Sequence, residues 1–115
     1  MAFFELDHIQ GISLVEGIRI KAVYGSQCST SFLELQPLSR LPEHHHPNEQ
    51  IGVVLDGEIE YTIGSETRVC RKGMAFLIPP NTPHSAIVVS RRPAQLLDIF
   101  APPRDLNDPL TVTGR

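Results

Sequence analysis

Three imidazoles and a side-chain oxygen donor lie in two turn-bounded stretches of this chain. The first is Glu43-His44-His45-His46-Pro47-Asn48-Glu49-Gln50, with Gly57 following; the second is Pro79-Pro80-Asn81-Thr82-Pro83-His84. His44 and His46 are two residues apart, so on an extended strand both rings point to one face. Neutral imidazole is the commonest side-chain metal ligand. A metal site needs donors of matched softness that converge from rigid elements. The donors here are imidazole nitrogens and an oxygen from Glu49 or Gln50, and no cysteine lies near them, which argues against a thiolate-rich structural zinc site. Taken singly, each histidine has an ordinary reading. His45 is expected to face solvent or stand behind the ligands, His8 is isolated, and His84 alone would be a hydrogen-bonded member of a Pro-rich turn. Taken jointly with the strand pattern, they predict a site for one divalent metal ion.

The elements that must position these side chains are short strands punctuated by Pro and Gly. Runs at 18–24, 31–35, 50–55, 58–63, 67–70, 75–78, 85–89 and 95–100 alternate or are continuously apolar. Asp56-Gly57, between two such runs, carries the hairpin signature. No segment sustains helical periodicity. Many short strands at regular spacing predict an all-β antiparallel sandwich or barrel.

Composition narrows the class further. A chain of 115 residues with 41% hydrophobic and 20% charged residues is expected to form one globular domain. Net charge is -3, and Arg91-Arg92 is too short a basic run for a nucleic-acid footprint. Cys28 and Cys70 form no CxxC, and buried free thiols in a reducing compartment are expected. Met1-Ala2-Phe3-Phe4-Glu5-Leu6-Asp7 lacks the basic and apolar regions of a signal peptide, and no apolar run approaches membrane-spanning length. A soluble cytoplasmic protein is the expectation, with no nucleic-acid or membrane partner.

The paired motifs resemble those of the small single-domain cupins, double-stranded β-helix jelly rolls. Their first motif runs Gly, five residues, His-x-His, three or four residues, Glu, six residues, Gly. Here His44 and His46 supply His-x-His, and Gly57 closes the motif. Counted from both ends, the Glu position falls on Gln50, and the leading Gly falls on Leu38. In the second motif Gly73, Pro79 and His84 match, Asn81 replaces a Gly, and Val88 replaces the closing Asn. Both Gly and Asn tolerate left-handed backbone angles. The resemblance covers about residues 17–100.

A narrower likeness joins His44-x-His46-Pro47-x-Glu49-Gln50-Ile51-Gly52 and Pro79-Pro80-Asn81-x-Pro83-His84 to Asp98-x-Phe100-x-Pro102-Pro103-Arg104. This set looks like the pectin-degradation (KdgF-like) cupins, which convert 4,5-unsaturated monouronates into linear keto forms. The resemblance implies metal ligands at His44, His46, Gln50 and His84, and catalytic or substrate-binding roles for Asp98, Phe100 and Arg104. It implies a divalent cofactor such as Ni, Zn, Mn or Fe. Gln binds a metal through a neutral carbonyl oxygen, so such a site leaves the dication's charge uncompensated and favours an anionic ligand.

The residues themselves bear on these roles. Leu96, Asp98 and Phe100 share one strand face, and an Asp between a Leu and a Phe is expensive in a dry core. In a barrel mouth its burial would raise its pKa and suit it to proton transfer. Arg104 follows a stiff Pro-Pro spacer, and its planar fork suits a carboxylate. Two other classes stand beside the ketonising reading: an iron-dependent cupin oxygenase and a non-catalytic small-molecule-binding cupin. A small anionic sugar is the expected ligand. A homodimer is expected, with segment 1–16, carrying Phe3, Phe4, Ile12, Leu14 and Val15, as an edge or exchange strand.

Overall fold

The computed structural model of the chain describes residues 2–106 and the backbone of residues 111–112. Among the described residues the only helical element is a 3₁₀ turn at Leu6–His8. The strands are β1 (Ile12–Val15), β2 (Ile18–Tyr24), β3 (Ser29–Leu35), β4 (Arg40–His45), β5 (Glu49–Asp56) and β6 (Glu58–Ile63), then β7 (Glu66–Arg71), β8 (Ala75–Ile78), β9 (His84–Val88), β10 (Ala94–Ala101) and β11 (Thr111–Val112). They form two antiparallel sheets, ordered β1-β2-β3-β10-β5-β8 and β11-β4-β9-β6-β7. The two sheets bear out the all-β antiparallel sandwich or barrel expected from the strand spacing and the jelly roll that the resemblance implied. No described helix is long and apolar enough to cross a membrane.

Alternation along the strands fills the interior with two kinds of residue. At one end Leu96 of β10 pairs with Leu33 of β3 and Val54 of β5, while Ile59 of β6 pairs with Val88 of β9. With Ile18, Leu35 and Ile78 they make a sealed apolar core, and each such side chain contributes about 1.5–3 kcal/mol on burial. Two residues further along the same strands the interior turns polar. Asp98 pairs with Ser31 and Gly52, Phe100 with Ser29 and Gln50, and His44 with His84.

Two sequence expectations need correction. Asp56-Gly57 does not close a hairpin, because β5 and β6 belong to different sheets. It turns the corner between them. Gly57 sits at φ 79°, and a Cβ there would lie 2.7 Å from Ala94 Cα, so the backbones approach too closely for a side chain. Asp56 Oδ1 fastens the corner by accepting from Gly57 N and from the Arg92 guanidinium, both at 2.9 Å. The tight hairpin comes one connection later, at Gly64-Ser65, where Ile63 pairs with Glu66. Cys28, expected in the core with Cys70, is exposed. It lies in the β2–β3 turn, where its carbonyl accepts Gly25 N at 2.8 Å. The motif positions that lost their glycines, Leu38 and Asn81, both hold positive φ (66° and 61°). Asn tolerates this readily, and Leu38 bears it in an exposed turn.

Candidate metal centre

His44 points inward from β4, His46 stands just beyond that strand, and His84 opens β9. All three rings are buried. The ring centroids of His44 and His84 are 4.2 Å apart, those of His46 and His84 4.9 Å, and one ligand atom from each ring falls within 4.8 Å of the others. The ring orientations have a backbone cause. His44 Nδ1 meets Pro42 O at 2.7 Å, His46 Nδ1 meets Asn48 O at 3.0 Å, and His84 Nδ1 meets Thr82 O at 2.8 Å. A carbonyl can only accept, so each Nδ1 carries the proton and each Nε2 keeps its lone pair. This is the tautomer a metal requires.

Two observations show that these residues fit a cation. His84 Nε2 is buried with no hydrogen-bond partner among the described residues. His46 Nε2 lies 3.0 Å from Gln50 Oε1, so two lone-pair atoms face one another, an arrangement a shared cation would stabilise. The histidines are also kept neutral. Burial holds the His44 and His46 pKa values below the ordinary 6.5, with the nearby Arg104 charge adding to both. Burial first, then the His44 ring, pushes His84 down to about 3.

The other end of the Gln50 amide reaches the carboxylate. Asp98 is 3% exposed, and burial raises its pKa from 3.8 to about 7, with a hydrogen bond from Gln50 opposing the shift. Its Oδ1 has no hydrogen-bond partner among the described residues. The structure thus brings His44, His46, Gln50, Asp98, Phe100 and Arg104 together around one cavity of ≈ 40 Å³, with His84 clustered against His44 and His46. Glu49 is exposed and points away. Phe100 packs edge-on to His46, with centroids 5.6 Å apart. His45 is half-buried, and its Nδ1 finds no partner among the described residues.

Two residues at the site escaped sequence reasoning. Tyr61 is buried on the cavity wall, where desolvation chiefly, with the Asp98 charge, drives its pKa well up. Its inward position was legible from the alternation of β6, but its height in the barrel was not. Asn48, in the β4–β5 loop, reads from sequence as turn chemistry. The structure shows its amide Nδ2 bonded to Pro102 O at 2.7 Å and Pro103 O at 3.2 Å.

With this geometry in view, likeness to known proteins becomes specific. Residues 31–100 match the Cupin_2 family, described as "Cupin domain", and the chain belongs to that family. A stretch of 51 residues is 39% identical to the H2HPP isomerase of Bacillus subtilis, taking in 44% of this chain and 22% of that protein. The chain therefore spans under a quarter of that relative's length. The structure of KdgF from Halomonas sp. superimposes with a TM-score of 0.84 at 25% identity, covering 91% of this chain and 96% of that one. Oxalate decarboxylase of Bacillus subtilis, a protein with Mn(II) centres, shares the fold. It has a TM-score of 0.82 at 18% identity, over 94% of this chain and 31% of that one.

Proposed function

We propose that this cupin is a metal-dependent isomerase that opens and ketonises 4,5-unsaturated monouronates. The observation that carries the reading is Asp98: a buried carboxyl titrating near neutrality, one oxygen without a partner among the described residues, beside a cluster of three neutral imidazoles. His44, His46, Gln50 and His84 would hold a divalent ion, which would supply Lewis acidity to a substrate oxygen. Asp98 as carboxylate accepts the proton of the anomeric hydroxyl as the ring C–O bond breaks, leaving an aldehyde and an enolate. The same group then delivers that proton to carbon 4, and the enolate becomes a ketone. Atoms balance, since the reaction is an isomerisation. A pKa of about 7 suits both halves of this exchange. Arg104 lines the cavity and binds the uronate carboxylate, and Phe100 packs against the sugar.

The likeness to Halomonas KdgF over nearly the whole of both chains supports this substrate class, and the name of the Bacillus relative supports isomerase chemistry. The cavity, ≈ 40 Å³ as it stands, holds little more than water, and Arg104, Asp105 and Leu106 are among the residues that line it. Admitting a six-carbon acid requires its lining to rearrange.

The test is a turnover assay on protein loaded with a divalent metal. Loss of the conjugated enol-ether absorbance of an unsaturated monouronate, faster than without enzyme and abolished by a chelator, is the expected result. A metal-replete protein that gives no acceleration rejects the reading. Iron(II)-dependent oxygen uptake would then redirect it towards an oxygenase.

A further inference from the structure

Asn48 is 6% exposed, a rare degree of burial for a loop amide. It touches both halves of the site. Its main-chain carbonyl accepts the Nδ1–H of His46, and its side-chain Nδ2 donates to the carbonyls of Pro102 and Pro103, 54 and 55 residues away. Those carbonyls lie where the chain leaves the sheet, since the β10–β5 ladder ends at the Ala101–Glu49 pair. The two prolines have no N–H with which to extend it.

The carbonyl of Pro103 and the N–H of Arg104 belong to a single peptide group. Asn48 Nδ2 holds the oxygen side of that plane at 3.2 Å, and Ser29 Oγ accepts from the Arg104 N–H on the other side at 2.9 Å. A peptide plane is rigid, so fixing both edges fixes its rotation and with it the direction in which the Arg104 side chain departs. Arg104 lines the same cavity as His44, His46, Gln50 and Asp98, which places it at the site.

We propose that Asn48 is the positioning residue for Arg104, setting the carboxylate-binding arm in register with the metal half-site. Its consequence for substrate rests on Arg104 binding the uronate carboxylate. Asn48→Leu keeps much of the volume and removes both donors. In metal-loaded Asn48→Leu, KM for the unsaturated monouronate should rise about tenfold to a hundredfold with a much smaller change in kcat. Metal affinity by calorimetry should stay within about twofold, because the bond to His46 comes from the main chain. Amide exchange at Arg104 and Asp105 should accelerate. Ser29→Ala should act in the same direction, and the double variant should be less than additive, since both grip one peptide. If Asn48→Leu fails to fold, Asn48→Ala carries the same readouts.

Unchanged exchange at Arg104 and Asp105 in the folded variant overturns the proposal, whatever happens to turnover. So does an unchanged KM when Arg104→Met raises it. If Arg104→Met leaves KM unaltered while exchange in Asn48→Leu is accelerated, the carboxylate reading falls and the positioning of the segment stands.

Discussion

Leu96 and Asp98 stand two residues apart on the inward face of one strand, 0% and 3% exposed, and the fold treats them in opposite ways. Leu96 meets Leu33 and Val54 across its two neighbouring strands, whereas Asp98 meets Ser31 and Gly52. Branched aliphatics close the barrel around the first. Small residues flank the second, and the position a Cβ of Gly52 would take is filled by the Phe76 ring, itself 4.2 Å from that of Tyr61. Burial at the sealed end lowers the free energy of the fold by about 25 cal/mol per Å² of apolar surface. Burial at the open end raises it, as the displaced pKa values of Asp98 and His84 record. Depth alone therefore does not define a core. What lines the same depth decides whether a residue stabilises the fold or is held ready for chemistry.

The sharpest way to break this contrast is Asp98→Asn. Turnover should fall by about 10²–10⁴-fold, the range of a lost general acid–base group, with metal content intact. Near-normal rates would make Asp98 a merely tolerated buried acid. Leu96→Ala should instead cost about 2–5 kcal/mol in denaturant titrations while the folded variant keeps its metal affinity. A loss of affinity would show that the two ends are not independent.

The pH dependence of the metal-free protein separates the ends further. The folded pKa of Asp98, about 7, lies above its ordinary 3.8. Its stabilising contribution is therefore fully present below about pH 4 and is lost as pH rises through about 7. His84 runs the other way: with a folded pKa of about 3 against 6.5, its contribution is present above pH 6.5 and lost as pH falls. Asp98→Asn removes only the first effect. Its stability relative to the parent should rise across pH 4–7 by an amount on the order of 4 kcal/mol. A difference that stays constant with pH would show that the carboxyl is not held neutral by burial. The smallest effect expected is that of the ligand ion. At a hundredfold excess over Kd it should add about 2.7 kcal/mol of stability, an increment that survives in Leu96→Ala and disappears in His84→Ala.

The sequence exposed the site better than the connections between its strands. His44 and His46 were legible because strand alternation places residues two apart on one face, and Asp98 because it interrupts an apolar stripe. Asp56-Gly57 misled because the same left-handed turn chemistry serves a hairpin and a sheet-to-sheet corner. The choice between them is made by β10, which pairs with β5 and so keeps β6 away. Strand β4 carries Pro42, and nothing local marks it as a strand; its ladder with β9 does, despite the irregularity between Leu41 and His44. Asn48 was out of reach for the plainest reason, as its partners lie more than fifty residues away.

The bonds that aim the three imidazoles all run to backbone carbonyls only two residues distant. The orientation of the ligand rings is thus inherited from the local course of the main chain and does not depend on the identity of the side chains facing them. Residues such as Tyr61, Phe100 and Leu106 can be exchanged in evolution or by design without re-engineering the ring geometry. A barrel built this way separates the inheritance of its ligand set from the inheritance of its substrate, and one scaffold can pass between chemistries by small steps.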